Sequence, residues 1–372
     1  MAVIFWAAIG LIVYTYIGYV AWLWGRSRWY QHPVRSAPYL PAVSIVLVAR
    51  NEGGCVGQKI RNLLDINYPR DKAEIIVVSD GSTDATNRVL SEFATLSHVK
   101  TIFSQQSQGK AAGLSHAINA AVGQIIVFTD VRQQIEPDAL LHLMENFADP
   151  RVGCASGELI LGDPATGEST RRMGLYWKLE KLVRHLEAAS GSVIGATGAL
   201  YAVRRSLFVP VPVGTTLDDV FIPMEVIRQG SRVIIDPRAR VWDVADLGTR
   251  REFGRKVRTL SGIYQLLQLQ PWLLSNENPV RFEFVSHKLL RLAVPFALCA
   301  ALVSSFFLPG FVYRVALFLQ LGFYSLSLSK PLLKQNSLAR IADVAFTFIL
   351  LNAAALVAFA NFVAGRKPAW GR

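Results

Sequence analysis

Hydrophobic positions fall into three patterns along this chain. The first is an uninterrupted apolar run, because residues 1–25 contain no Asp, Glu, Lys or Arg. Such a run is long enough to cross about 30 Å of hydrocarbon as a helix. Trp22, Trp24, Trp29 and Tyr30 gather at its end, and Arg26, Arg28 and Arg35 follow. The positive-inside rule places the N-terminus outside and the following residues in the cytoplasm. No basic stretch precedes the run and no small-residue cleavage site follows it, which speaks against a removed signal peptide. The second pattern is a set of short apolar, β-branched runs that read as strands over 43–52, stopping at a polar end, and over 74–80, 99–103 and 124–128. Segments of helical period lie between them, at 56–64, 84–94 and 108–118. This alternation predicts an α/β domain with a parallel sheet buried on both faces. A helix over 135–147 with Pro137 in its first turn, a strand over 152–161 and a helix over 169–189 continue it. Leu175, Leu179, Leu182, Val183 and Leu186 form one face of that last helix. Pro33, Pro38 and Pro41 make residues 31–42 a linker.

The third pattern closes the chain. Residues 251–274 read as a basic amphipathic helix of the kind that lies in a membrane interface, or as a surface helix packed on the sheet. Apolar spans follow at 289–308, 311–329 and 341–364, with Lys330, Lys334 and Arg340 in a basic loop expected on the cytoplasmic side. The organisation expected is therefore a membrane helix at 1–25, an α/β domain at 41–245, an interfacial segment at 246–284 and membrane helices at 285–365. Four spans would leave both ends outside. The basic end G-R-K-P-A-W-G-R conflicts with that, and a shallow or re-entrant segment would resolve it.

Composition agrees. The 372 residues suffice for a domain of roughly 200–250 residues plus further elements. The 52% hydrophobic content and positive mean hydropathy are unlike a single soluble domain. A net charge of +12 suits an anionic membrane surface, a nucleotide diphosphate or nucleic acid. Membrane-proximal loops and phosphate contacts account for the charge, so no nucleic-acid partner is expected. Cys55, Cys154 and Cys299 have neither metal-ligand spacing nor a disulfide framework.

The run E-I-I-V-V-S-D-G-S-T-D at 74–84 carries the first candidate chemistry. A buried strand ends in a turn that should expose Asp80 at the carboxyl edge of the sheet, where ligands bind in open α/β folds. A carboxylate there can accept a hydrogen bond from a base or a sugar hydroxyl. The alternative is that Asp80 and Asp84 cap the turn and the next helix.

Further segments recur in order: A-R-N-E at 49–52, V-S-D-G-S-T-D at 78–84, G-K-A-A-G-L at 109–114 and F-T-D-V-R at 128–132. G-A-T-G-A-L-Y-A-V-R-R at 195–205, L-D-D at 217–219 and R-K-V-R at 255–258 complete the set. With these, residues 43–267 resemble the membrane-bound family 2 glycosyltransferases of the GT-A fold, the group that includes cellulose and hyaluronan synthases. The resemblance implies a Rossmann-like, mostly parallel sheet with flanking helices, joined to transmembrane helices. It implies inverting transfer of a sugar from a nucleotide donor, with a UDP-sugar expected, to a lipid, lipid-linked saccharide or polysaccharide. The setting implied is cell-envelope synthesis at the inner (plasma) membrane with the catalytic domain cytoplasmic. Partners in a synthase complex are expected as well, and the alternative function is a non-catalytic nucleotide-binding scaffold of such a complex.

By the same resemblance, Asp80 contacts the base, with Asn51 and Glu52 beside it. Lys110, at a helix start after Gly109, suits a diphosphate; the alternative is a solvated lysine. Asp130 matches the first carboxylate of the D-x-D motif and would hold Mg²⁺ or Mn²⁺. Arg132 replaces the second carboxylate, and could pair with the diphosphate or turn to solvent. Asp219 matches the base that takes the acceptor's proton, with Asp218 before it; both also suit a helix N-terminus. The small residues at 195–202 lie where the acceptor meets the donor sugar. Arg258 matches the arginine of Q-x-x-R-W and would help hold the diphosphate, but Arg255 and Thr259 replace that motif's Gln and Trp. His185 is expected to be structural.

Overall fold

The computed structural model describes residues 1–164, 168–169, 175–244, 249–330, 333 and 337–366. The chain forms two compact units. One comprises Gln31–Arg171, Glu187–Asp246 and Ala369–Arg372, and carries the sheet. The other comprises Met1–Tyr30, Arg172–Leu186 and Leu247–Pro368, and is helical.

The sheet contains β1 (Val43–Ala49), β2 (Ala73–Asp80), β3 (Val99–Ser104), β4 (Ile125–Thr129), β5 (Gln134–Ile135), β6 (Val152–Asp163), β7 (Glu168–Ser169), β8 (Leu200–Arg204) and β9 (Arg232–Asp243). The order is β3-β2-β1-β4-β8-β6-β9-β5, with β7 paired to β6. All residues of β1 and β4 are buried. That is why these strands read as continuous apolar runs rather than alternating ones. Each fully buried Ile, Leu or Val in them contributes about 1.5–3 kcal/mol.

Strands β3, β2, β1 and β4 are parallel, so their carboxyl ends share one edge. Beyond β4 the sheet is mixed. Strand β8 enters antiparallel, pairing Phe128 with Tyr201, and the two rings stack at 4.6 Å. Gly81 turns the chain at the edge, with φ +60°. A Cβ there would stand 2.3 Å from Ser107 N, so only glycine lets this turn approach the loop ahead of Lys110.

Three expectations change. Ile135 is not helical. It pairs with Val241 of β9, and the Asn62 side chain binds both its N–H and its C=O at 2.9 Å. The helix begins later, at Ala139–Glu145. The helix expected over 169–189 is observed as Leu175–Ser190, with residues 170–174 outside the described ones. Its leucine face splits. Val183 is buried with Tyr19 and Leu23, whereas Leu175 and Leu182 are exposed. Residues 31–42 have no regular structure, yet they are tied down. Tyr68 Oη donates to Pro41 O at 2.6 Å and Arg35 N to Asp149 Oδ2 at 3.2 Å.

In the helical unit, four helices among the described residues are long and apolar enough to cross a membrane: Ala2–Trp29, Arg281–Phe307, Phe311–Ser329 and Leu338–Val363. They overlap the four expected runs, although the second begins at Arg281 rather than at 289, within the segment expected to be interfacial. The first two each contain a π-turn, at Tyr14–Gly18 and Val285–Leu289. These turns meet through Tyr14 Oη and Ser286 Oγ, 2.9 Å apart. At the same end of the pair Arg26 binds Glu283. The basic segment forms a helix, Thr249–Leu269, followed by a 3-10 turn, Pro271–Leu274. Lys334 and the end of the chain after Arg366 lie outside the described residues.

Candidate active site

Asn51 and Glu52 follow the carboxyl end of β1, Asp80 ends β2, and Asp130 and Arg132 follow β4. Asp80, the last residue of β2, is buried at 1% exposure rather than displayed to solvent. Its Oδ1 accepts from Gln108 N (2.8 Å), and Oδ2 accepts from Ser107 Oγ (2.7 Å) and Gly109 N (3.0 Å). The carboxylate thus fixes the loop that delivers Lys110. Asp84 performs the capping, taking Thr86 N at 2.9 Å and Gly53 N at 3.0 Å. Asn51, at φ +54°, accepts from Thr83 N at 2.8 Å and holds the same turn from the β1 side. Asparagine tolerates this left-handed backbone better than most residues.

Lys110 is the centre of the site. Its Nζ lies 3.1 Å from Asp130 Oδ1 and 3.1 Å from Asp218 Oδ2. Burial alone would lower its pKa. The carboxylates of Asp130, Asp218 and Asp219 outweigh burial and raise it above that of an ordinary lysine. Asp218 is buried and begins the helix Asp218–Arg228. Asp219, next to it, is half-buried. Its backbone O accepts from Ala196 N at 2.7 Å. Gly198 faces its side chain so closely that a Cβ would lie 3.3 Å from Oδ2. Thr129 Oγ1 donates to Ala199 O at 2.8 Å and ties this small-residue segment to the end of β4. The geometry therefore brings Lys110, Asp130, Asp218 and Asp219 together beside a segment of small residues.

Glu52 and Arg132 form a second pair. Arg132 Nη2 donates to Glu52 Oε1 at 2.8 Å and Nε to the same oxygen at 3.2 Å. Glu52 also accepts from Cys55 Sγ at 3.0 Å. Burial, then this carboxylate, pushes the thiol up to about 11, so it is held as the unreactive thiol. Arg258 lies on Thr249–Leu269, in the helical unit.

Among the described residues no group of three or more His, Cys, Asp or Glu could hold a metal ion. Asp130 offers a carboxylate that is 42% exposed. That donor set fits a hard cation bound through one carboxylate and substrate phosphates, and does not fit one caged by the protein.

Two residues escaped the sequence reading. Lys59 is 2% exposed, and its Nζ donates to Gln133 O at 2.8 Å, just beyond Asp130. The signal was its position on the apolar face set by Val56, Ile60 and Leu63. Burial lowers its pKa to about 7, and Asp130 opposes the shift. An unfolded lysine titrates near about 10.4. Between these values the unfolded chain holds a proton that the folded one lacks, so stability rises with pH across that window, by up to about 1.4 kcal/mol per pH unit. Thermal unfolding in detergent from pH 7 to pH 10 should show this rise in the native chain and lose it in Lys59→Met. Equal slopes would remove Lys59 as its source. Tyr201 is the second. Its hydroxyl is buried with no hydrogen-bond partner among the described residues, and burial, Asp218 and Asp219 keep it protonated.

Comparison with known proteins gives a consistent picture. A beta-monoglucosyldiacylglycerol synthase of Nostoc is 29% identical over 186 residues, covering 49% of this chain and 39% of its own. A poly-beta-1,6-N-acetyl-D-glucosamine synthase of Staphylococcus aureus is 22% identical over 262 residues, covering 68% of this chain and 63% of its own. The chain thus spans less than two thirds of the length of these curated relatives. Among solved structures, a mannosyltransferase from Pyrobaculum calidifontis, in complex with GDP-Man and Mn2+, superposes with a TM-score of 0.75 at 22% identity. The match covers 98% of this chain and 99% of that one, and it bears out the GT-A α/β fold with apolar helices. Residues 44–209 match the model of glycosyl transferase family 2, and the chain carries a domain of that family.

Proposed function

We propose that this chain is a membrane-associated inverting glycosyltransferase that moves a sugar from a nucleotide donor to a hydroxyl of a lipid, a lipid-linked saccharide or a polysaccharide. The observation that carries this reading is the half-buried Asp219 carboxylate beside Gly198, next to the ion pairs that join Lys110 to Asp130 and Asp218. A carboxylate held beside a small-residue segment suits a base that takes the proton of an attacking hydroxyl. Asp219 takes the acceptor's proton as its oxygen bonds to the anomeric carbon and the nucleotide diphosphate leaves from the opposite face. Lys110, held cationic, fixes Asp218 and Asp130 around the sugar and lies within reach of the departing phosphates.

Asp80 serves the donor site through the loop it holds, and a direct contact with a uracil would exchange one of its three bonds. Asn51 and Glu52 complete the base side, and Arg132 orients Glu52. Arg258 is assigned to the diphosphate on the resemblance alone. Mg²⁺ or Mn²⁺ bound through Asp130 and the donor phosphates would neutralise charge on the leaving group. The two curated relatives, one named for a glycolipid and one for a polysaccharide, support both acceptor classes.

The test is release of free nucleotide diphosphate by the full chain in detergent, with UDP- and GDP-sugars and with glycolipid or oligosaccharide acceptors. Acceptor-dependent release from a UDP-sugar is expected, and excess chelator should slow it by on the order of 100-fold or more. Full activity in chelator would discard the metal and leave Lys110 to carry the charge. Tight donor binding without transfer to any acceptor would favour the scaffold.

A further inference from the structure

The helical unit contains a concentration of cations that the transfer reaction does not use. Glu180 accepts from His287 Nε2 at 3.1 Å, binds Arg291 and lies 3.8 Å from Lys288 Nζ. Arg291 Nη1 also reaches Tyr176 Oη at 3.3 Å. The Tyr176 ring takes two cations, with Lys256 Nζ 5.3 Å and Arg291 Cζ 5.6 Å from its centroid. Lys288 and Arg291 therefore share the Glu180 carboxylate, and Lys256 and Arg291 share the Tyr176 ring. Arg255 and Glu252, the other charged groups acting on Lys256, oppose one another. Burial, then Arg255, holds Lys256 below the ordinary lysine value, and Arg291 adds to the effect.

This excess is partly withdrawn from water, since the side chains of Lys288 and Arg291 are 23% and 13% exposed. Desolvated charge without a counter-charge is costly. Arg291 Nε is also buried with no hydrogen-bond partner among the described residues, so a donor is available for an anion.

The level of the cluster narrows the ligand. Lys288 and Arg291 stand near the start of the apolar helix Arg281–Phe307. At that end Glu283 binds Arg26, and Tyr19 lies 6.3 Å from His287. Trp22, Trp24 and Trp29 are exposed there, with Arg26 and Arg28 placed over the first two rings at 5.1 and 4.8 Å. An exposed Trp and Arg belt of this kind marks the headgroup level of a bilayer. Basic pockets between helices at that depth bind anionic headgroups.

We propose that Lys256, Lys288 and Arg291 bind the phosphate of an anionic phospholipid headgroup. The proposal stands whether or not the transfer reading holds.

The experiment measures lipid retention by the full chain in detergent, using native mass spectrometry. Phosphatidylglycerol and phosphatidylcholine of equal chain length are the probes. The native chain should prefer phosphatidylglycerol. Lys256→Gln and Lys288→Gln should each lower that preference about fivefold, the effect of one lysine at a membrane surface. Neither change touches the pairs of Glu180 with His287 and Arg291. An unchanged melting temperature in detergent alone would show that the unit remains folded. Should one variant unfold, the other carries the comparison. Equal retention of the two lipids, or equal preference in the native and substituted chains, overturns the proposal. Displacement of phosphatidylglycerol by inorganic phosphate at equal affinity assigns the site to a free anion and overturns the lipid assignment.

Discussion

Asp219→Asn lowers sugar transfer by about 10²–10⁴-fold, the usual contribution of a positioned general base, and leaves nucleotide affinity near the native value. The substitution keeps the shape of the side chain and removes its capacity to take a proton. Gly198 leaves room for either side chain, because its hypothetical Cβ is 3.3 Å from Oδ2 and neither residue adds one. The backbone bond from Ala196 N to Asp219 O does not involve the side chain, so the fold should persist. Single-turnover transfer and calorimetric donor binding, measured on the same preparation, separate the two effects. Transfer within a few-fold of native would refute the role. A parallel loss of donor affinity would move Asp219 to the donor site.

Lys110→Met should be the most damaging change to stability. Removing the ammonium leaves Asp218, a 7%-exposed carboxylate, without the cation that faces it. Breaking a buried pair from one side costs about 3–5 kcal/mol. The raised pKa of Lys110 fixes the sign. A lysine whose folded pKa exceeds its unfolded value contributes fully below about pH 10.4. The contribution is therefore present throughout the neutral range and is lost only in strong alkali. Thermal unfolding of the native chain and the variant in detergent at pH 7 checks this, and a deficit well below about 3 kcal/mol would show that the buried pair does not carry that stability. Transfer should collapse as well, since Asp130 loses its positioning contact.

The sequence made the strands and the apolar helices legible for the same reason. The strands are buried on both faces and the helices are apolar all round, so both read as runs rather than stripes. The carboxyl edge of the parallel strands was legible too, because Asn51, Asp80 and Asp130 each follow an apolar run directly. Partnership was not legible. Nothing in G-K-A-A-G-L says that Lys110 will bridge Asp130 and Asp218, since the pairing depends on how the helix Asp218–Arg228 packs against β6 and β9. Asp80 is expected at the surface from its sequence, and the loop that leaves the adjoining carboxyl end of β3 covers it. Ile135 looked helical because its neighbours share helical spacing, but backbone pairing with Val241 prevails. Lys59 was passed over because a lysine in a helix is usually solvated, whereas here its amine reaches a carbonyl inside the unit.

The paired π-turns at Tyr14–Gly18 and Val285–Leu289 have an effect on any attempt to edit these helices. A π-turn holds one residue more than the regular helix, and one residue corresponds to about 100° of rotation. Positions before and after each turn therefore run in different angular phases, and a heptad frame carried across either one selects the wrong face. Deleting a single residue from one turn would swing Phe5 and Ala8 out of phase with Tyr19 and Leu23, although all four are buried. Because Tyr14 and Ser286 meet at the two turns, each irregularity is matched by the other. A shortened first helix would call for a compensating deletion in its neighbour, so the two segments should gain or lose residues together.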